Sequence, residues 1–197
     1  FRLFENNGVI KRNFIDQIIK NLKPEDRSNL RKKGVKIGRY HIFLPRMLKP
    51  NAVTLRVTLW KAFFQDDRFS TLPKFGLNFL KNEDKKNKKF LLICGFENFD
   101  KFYIRVDILE RLFLQIINNT TNGIFEVHSD MMNLVGCTKE NFIKLLKLME
   151  YQHKTDKESN KDLFVYMPKK SHGKIKNNIT KYKKDSPFEK LAEVRFK

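Results

Sequence analysis

From Val106 to Met167 helix and strand signals follow one another in an order that leaves few ways to fold. Ile108, Leu109, Leu112, Phe113, Ile116 and Ile117 recur at helical spacing and mark one apolar face. Asp107 stands where it would cap that helix. The run Asn-Asn-Thr-Thr-Asn-Gly at 118–123 is loop chemistry. Ile124–Val127 reads as a short strand. Ser129 or Asp130 is placed to cap a helix of about two turns, with Met131, Met132, Leu134 and Val135 as its apolar residues and Gly136 as its end. Thr138 then caps a third helix, with Glu140 in its first turn, and Phe142, Leu145, Leu146 and Met149 form its buried face. Asp162–Met167 alternates as a strand, and residues 154–161 read as the tip of the hairpin before it.

Helix, strand, helix, tight turn, helix, strand is the order of a winged-helix module. Such a module places one helix in or along a nucleic-acid groove. The third helix carries Lys139, Asn141, Lys144 and Lys147 on its polar face. Beyond Pro168 the chain is dominated by cations: Lys169, Lys170, Lys174 and Lys176, then Lys181, Lys183 and Lys184. With only Ile175 and Ile179 scattered among them, 169–185 reads as a flexible basic linker that contacts phosphates without reading bases. Residues 186–197 read as a short terminal helix, with Pro187 in its first turn.

The N-terminal half reads as mostly helical. Phe14, Ile15, Ile18, Ile19 and Leu22 form one helical face. Pro24, Glu25 and Asp26 start another helix, and Gly34 ends it. Val35–Leu44 is a strand candidate with Gly38 as a bulge. A helix from Pro50 to Phe64 is apolar on most faces and is expected to be buried, Trp60 with it. Residues 67–89 read as a charged loop, the expected boundary between halves. Phe90–Gly95 and Phe102–Val106 read as strands joined by a turn at 98–101.

The expectation is thus an α+β chain, mainly α with small β elements. It comprises a helical and strand-bearing accessory unit (1–66), a charged linker (67–89), a winged-helix-like domain (90–168), a basic tail and a short terminal helix. Aromatics make up 13% of 197 residues, nineteen of them phenylalanine, which excludes disorder throughout. Net charge is +19, and a surplus of that size attracts polyanions, nucleic acid first among them. Part of the lysine excess matches the codon bias of an AT-rich genome. The chain opens on Phe1 in a segment that already reads as helix, which reads as a piece of a longer protein. No secretory signal or membrane-length apolar run appears. Cys94 and Cys137, far apart in sequence, read as reduced thiols in a cytoplasmic protein.

Several runs carry a resemblance. Gly34–Pro45, Leu48-Lys49-Pro50, Leu59-Trp60, Arg105-Val106-Asp107 with Leu109–Leu112, Leu134–Cys137 and Asp185–Ala192 occur in this order over nearly the whole chain. Together they resemble the C-terminal region of alphaproteobacterial helicase-related proteins, which are similar to the mitochondrial degradosome RNA helicase of superfamily two. The resemblance implies RecA-like motor domains preceding this segment, with ATP and magnesium as their cofactors. The chain itself has no Gly-x-x-x-x-Gly-Lys-Ser/Thr loop to cradle phosphates, so no catalytic residue is carried over and no cofactor is expected on it.

Four histidines, His41, His128, His153 and His172, show no zinc or triad spacing, with His153 read at a helix end. Neither cysteine has an assignable base. Arg39, with His41, Arg46 and Lys49, flanks the strand candidate and is a further contact point for a nucleic-acid strand. The functional expectation is an accessory region that holds single-stranded RNA or DNA and braces a motor. The rivals are a stand-alone winged-helix regulator of duplex DNA and a protein-interaction module whose charge is genomic bias.

Overall fold

A computed structural model describes residues 1–64, 72–83, 88–155 and 162–166. Their fold is mixed α and β, built on three small antiparallel sheets of three strands each.

The first sheet belongs to the N-terminal unit. Helix α1 (Arg2–Glu5) leads through Asn7 and Gly8, both at positive φ, into β1 (Val9–Lys11). Helix α2 (Asp16–Asn21) and helix α3 (Pro24–Lys32) follow, then β2 (Lys36–Ile37) and β3 (His41–Phe43), with β3 in the centre. Pro24 occupies the first turn of α3, and Gly34 leaves it at φ +86°. Ile10, Ile19, Val35 and Ile42 form the small core of this unit. Three expectations are corrected here. A sheet stands in a half read as mostly helical. Val35–Leu44 is a hairpin folded back at Gly38–Tyr40 rather than one bulged strand. The apolar face at 14–22 is only partly covered: Ile19 is buried and Ile15 and Leu22 pack against the same core, while Phe14, in the turn before α2, and Ile18 are exposed.

Helix α4 (Pro50–Phe64) starts where Pro50 predicts, but it is not buried all round. Val53, Arg56 and Val57 face inward, while Leu55, Leu59, Phe63 and Phe64 are exposed. Trp60 is half-buried against Phe90, ring centroids 6.3 Å apart.

Within the segment read as linker stands β4 (Phe79–Lys81), an edge of the second sheet. The run read as a strand at 90–95 is helix α5 (Lys88–Ile93). An apolar run that short fits a buried helix turn as well as a strand, and Gly95 at φ +90° ends it. Then come β5 (Phe96–Phe99) and β6 (Phe102–Arg105), the latter central between β4 and β5. Their alternation decides the packing. Tyr103 enters a core with Val53, Val57, Phe90 and Cys94, so that core runs across the expected linker. Phe102 and Ile104 point the other way, into the largest core.

That core is shared with the last elements: α6 (Val106–Asn118), β7 (Ile124–Glu126), α7 (Ser129–Val135), α8 (Lys139–Leu148), β8 (Tyr151–Thr155) and β9 (Asp162–Tyr166). The third sheet has the order β7-β9-β8, with Phe125 opposite Phe164 and His153 opposite Phe164 on its other side. Asp107 does not cap α6. It sits inside the first turn and grips Arg105 through two hydrogen bonds. His128 precedes α7 with no side-chain cap, and neither Ser129 nor Asp130 fills that role. His153 lies in β8, because α8 already ends at Leu148. The basic tail, the terminal helix and most of the hairpin tip lie outside the described residues.

Candidate functional site

Helix α8 is made by its own ends. Gly136 closes α7 in the left-handed region at φ +78°, and Thr138 accepts the Asn141 amide at 3.5 Å to open α8. Phe142, Leu145, Leu146 and Met149 then fall on the core side, none more than 5% exposed. Lys139, Lys144 and Lys147 consequently face solvent, and Asn141 is half-buried.

Lys139 is not a free cation. Its Nζ lies 2.6 Å from Asp162 Oδ2, while Asp162 Oδ1 meets His153 Nε2 at 2.8 Å. Lys139 first, then His153, holds the Asp162 carboxyl below its ordinary pKa. Asp162 thus ties the first residue of β9 to the first residue of α8. His153 packs on Phe164 at 4.8 Å between centroids. Lys154, beside it on β8, is exposed. Lys169, Lys170, Lys174, Lys176, Lys181, Lys183 and Lys184 lie outside the described residues.

Arg39 stands apart from this face, at the β2–β3 turn, with its guanidinium 5.8 Å from the Phe113 ring centre. His41 is 2% exposed and cannot touch a strand of nucleic acid, which corrects its reading as a contact.

His41 belongs to a buried polar cluster. The Glu110 carboxylate accepts the main-chain N–H groups of Arg39, Tyr40 and His41 at 2.6, 2.8 and 2.7 Å. A side chain at Gly38 would collide with that carboxylate, so the turn requires glycine for close approach. His41 Nε2 meets Glu97 Oε2 at 2.8 Å, and Lys11 Nζ meets Glu97 Oε1 at 2.7 Å. Burial disfavours the charged ring of His41, but Glu110 and Glu97 outweigh it and raise its pKa. Burial likewise opposes the charge on Glu97, yet His41 and Lys11 lower its pKa. One legible signal was Glu110 itself, four residues after Val106 and three before Phe113, a carboxylate on an apolar strip of α6. Its partner at positions 39–41 was not legible.

Arg56 is a second buried charge. Its Nη1 donates to the Asn7 carbonyl at 2.7 Å, and burial works against its charge. Cys94 and Cys137 are free thiols, pushed up by burial to about 12 and about 11, so both stay protonated and unreactive near neutrality. Among the described residues, no group of His, Cys, Asp and Glu is arranged to hold a metal, and no helix is long and apolar enough to cross a membrane.

Set against protein-family models, curated proteins and solved structures, the chain matches none of them.

Proposed function

We propose that this chain is a nucleic-acid-binding accessory module whose segment 106–166 is a winged helix. The observation that carries the reading is the order α6-β7-α7-α8-β8-β9 with the strand order β7-β9-β8, which leaves the polar face of α8 open to solvent. In that arrangement α8 is the helix offered to a groove or a strand. Lys144 and Lys147 supply phosphate contacts, Lys139 stays latched to Asp162, and the β8–β9 hairpin adds Lys154. The sequence resemblance adds the wider role: an accessory region that holds the single strand beside an ATP-dependent helicase motor. The tail lysines from 169 to 184 extend the same electrostatic contact without base readout.

Fluorescence anisotropy tests this on labelled single-stranded RNA, single-stranded DNA and duplex, each titrated with salt. Binding is expected to weaken steeply with salt. Lys144→Gln with Lys147→Gln should flatten the log–log slope by roughly 0.7 per lost contact on single strands or about 0.9 on duplex. An unchanged slope and affinity would remove α8 from the interface. Preference for one duplex sequence would instead favour a transcription regulator.

A further inference from the structure

Between Arg27 and Gln65 the chain has ten lysines and arginines and no carboxylate. Four of the ten are engaged or set apart. Arg27 donates to the Ile19 carbonyl at the end of α2. Arg39 sits over Phe113 at the turn. Arg56 is buried and Lys61 half-buried on α4. The other six, Arg31, Lys32, Lys33, Lys36, Arg46 and Lys49, are all exposed.

The sheet register brings these six together. Lys36 pairs with Phe43 and Ile37 with Ile42, so the β2–β3 hairpin turns at Gly38–Tyr40 and opens at its other end. At that open end α3 arrives on one side with Arg31, Lys32 and Lys33. The chain leaves on the other side through Leu44 and Pro45 to Arg46 and Lys49. Paired strands stand only ~5 Å apart, so the two basic segments leave from adjacent strand ends though they lie more than a dozen residues apart in sequence. Leu44 also donates to the Gly8 carbonyl at 2.9 Å, which brings the α1 side of the sheet to the same end. There the charges of Arg2 and Glu5 offset each other.

Several cations elsewhere carry a counter-charge. Lys11 has Glu97, Lys20 has Asp16, Arg105 has Asp107 and Lys139 has Asp162. Among the described residues, no ion pair involves any of the six at the hairpin's open end. Six cations held without counter-charge repel one another, and a polyanion relieves that repulsion. From Pro24 to Lys49 no large apolar side chain is exposed, so the basic segments themselves lack the anchor that an interfacial membrane contact uses, although α1 beside them exposes Phe1 and Phe4. A run of phosphates needs no such anchor.

We infer that the open end of the β2–β3 hairpin is a second phosphate-binding surface for nucleic acid, separate from the α8 face. It binds the backbone without reading bases. The inference builds on the nucleic-acid reading above but uses different residues, so the two stand or fall separately.

The test uses the whole chain and three variants: Lys32→Gln/Lys33→Gln/Lys36→Gln, the control Lys88→Gln/Lys89→Gln/Lys101→Gln, and Lys144→Gln/Lys147→Gln. All positions in the first set are exposed and unpaired, so folding is retained; circular dichroism melts verify it. Anisotropy on a labelled single-stranded 20-mer is read against salt. The first variant is expected to lose about 2 from the log–log slope, roughly 0.7 for each of three contacts, while the control keeps the parental slope. An unchanged slope, or an equal loss in the control, overturns the inference. So does binding to phosphatidylserine vesicles that the first variant abolishes while its nucleic-acid binding stays intact. If the hairpin variant loses slope and the α8 variant does not, this surface stands and the α8 reading fails. The reverse result removes this surface alone.

Discussion

At the scale of single residues, the best-defined chemistry lies where four elements meet around one imidazole. His41 on β3 faces Glu97 on β5 and Glu110 on α6, and Lys11 on β1 completes the cluster. Its two titrations act in opposite directions. His41 has a raised pKa in the folded chain, so its contribution to stability is fully present below the unfolded histidine value of about 6.5. It is lost as pH rises through the folded value. Glu97 has a lowered pKa, so its contribution is fully present above about 4.3 and lost as pH falls through the folded value. The cluster therefore stabilises most between about pH 4.3 and 6.5 and weakens above that window. Urea unfolding of the parent and of His41→Gln from pH 5 to pH 9 measures it. The gap between the two midpoints should narrow as pH rises. A gap that stays constant over that range would mean that His41 acts by shape alone.

At the scale of elements, what could be read from the sequence followed local chemistry. The Asn122-Gly123 turn forms as its residue types require, with φ of +53° and +77°. Pro24 and Pro50 open the helices they were expected to open, and the buried face of α8 is the one its spacing marks. Pattern failed where the outcome depended on distant partners. Nothing local tells Phe90–Ile93 to be helix rather than strand. The choice follows from packing beside α4 and β6. Asp107 has the chemistry of a cap, but Arg105 two residues earlier takes its carboxylate. The site divides the same way. The lysines of α8 were legible from helical period, whereas the Lys139–Asp162–His153 link required the β8–β9 register. The α7–α8 junction offers a local check. Gly136 takes a left-handed backbone with open space around it, so a methyl group there meets no neighbour. Gly136→Ala should cost about 1 kcal/mol from backbone strain alone. A urea midpoint equal to the parent's would show that α7 ends without needing that conformation.

At the scale of the molecule, the three cores are unequal. Among the described residues, the largest has fifteen buried side chains from β6 to β9, and the N-terminal one has four. The N-terminal core differs also in how it is joined to the rest. β6 serves two cores at once, with Phe102 and Ile104 on one face and Tyr103 on the other, so neither can open without exposing apolar surface of that strand. The N-terminal sheet meets the rest through Lys11, His41 and the Glu110-bound turn, with Tyr40 against Phe113 at 5.4 Å, and through the buried Arg56 of α4, which donates to the Asn7 carbonyl. A joint made of charges in a small apolar setting loses less on exposure to water than a shared core does, because the charges regain hydration. The N-terminal sheet should therefore open in smaller excursions than the global unfolding. Native-state hydrogen exchange at pH 6 should find the amides of β1 and β3 less protected than those of β6 and α6. At pH 8 that difference should widen, since His41 then gives less to the joint. Equal protection across all four elements would mean that the chain opens only as a whole, and the polar joint would have to be counted as strong as a core.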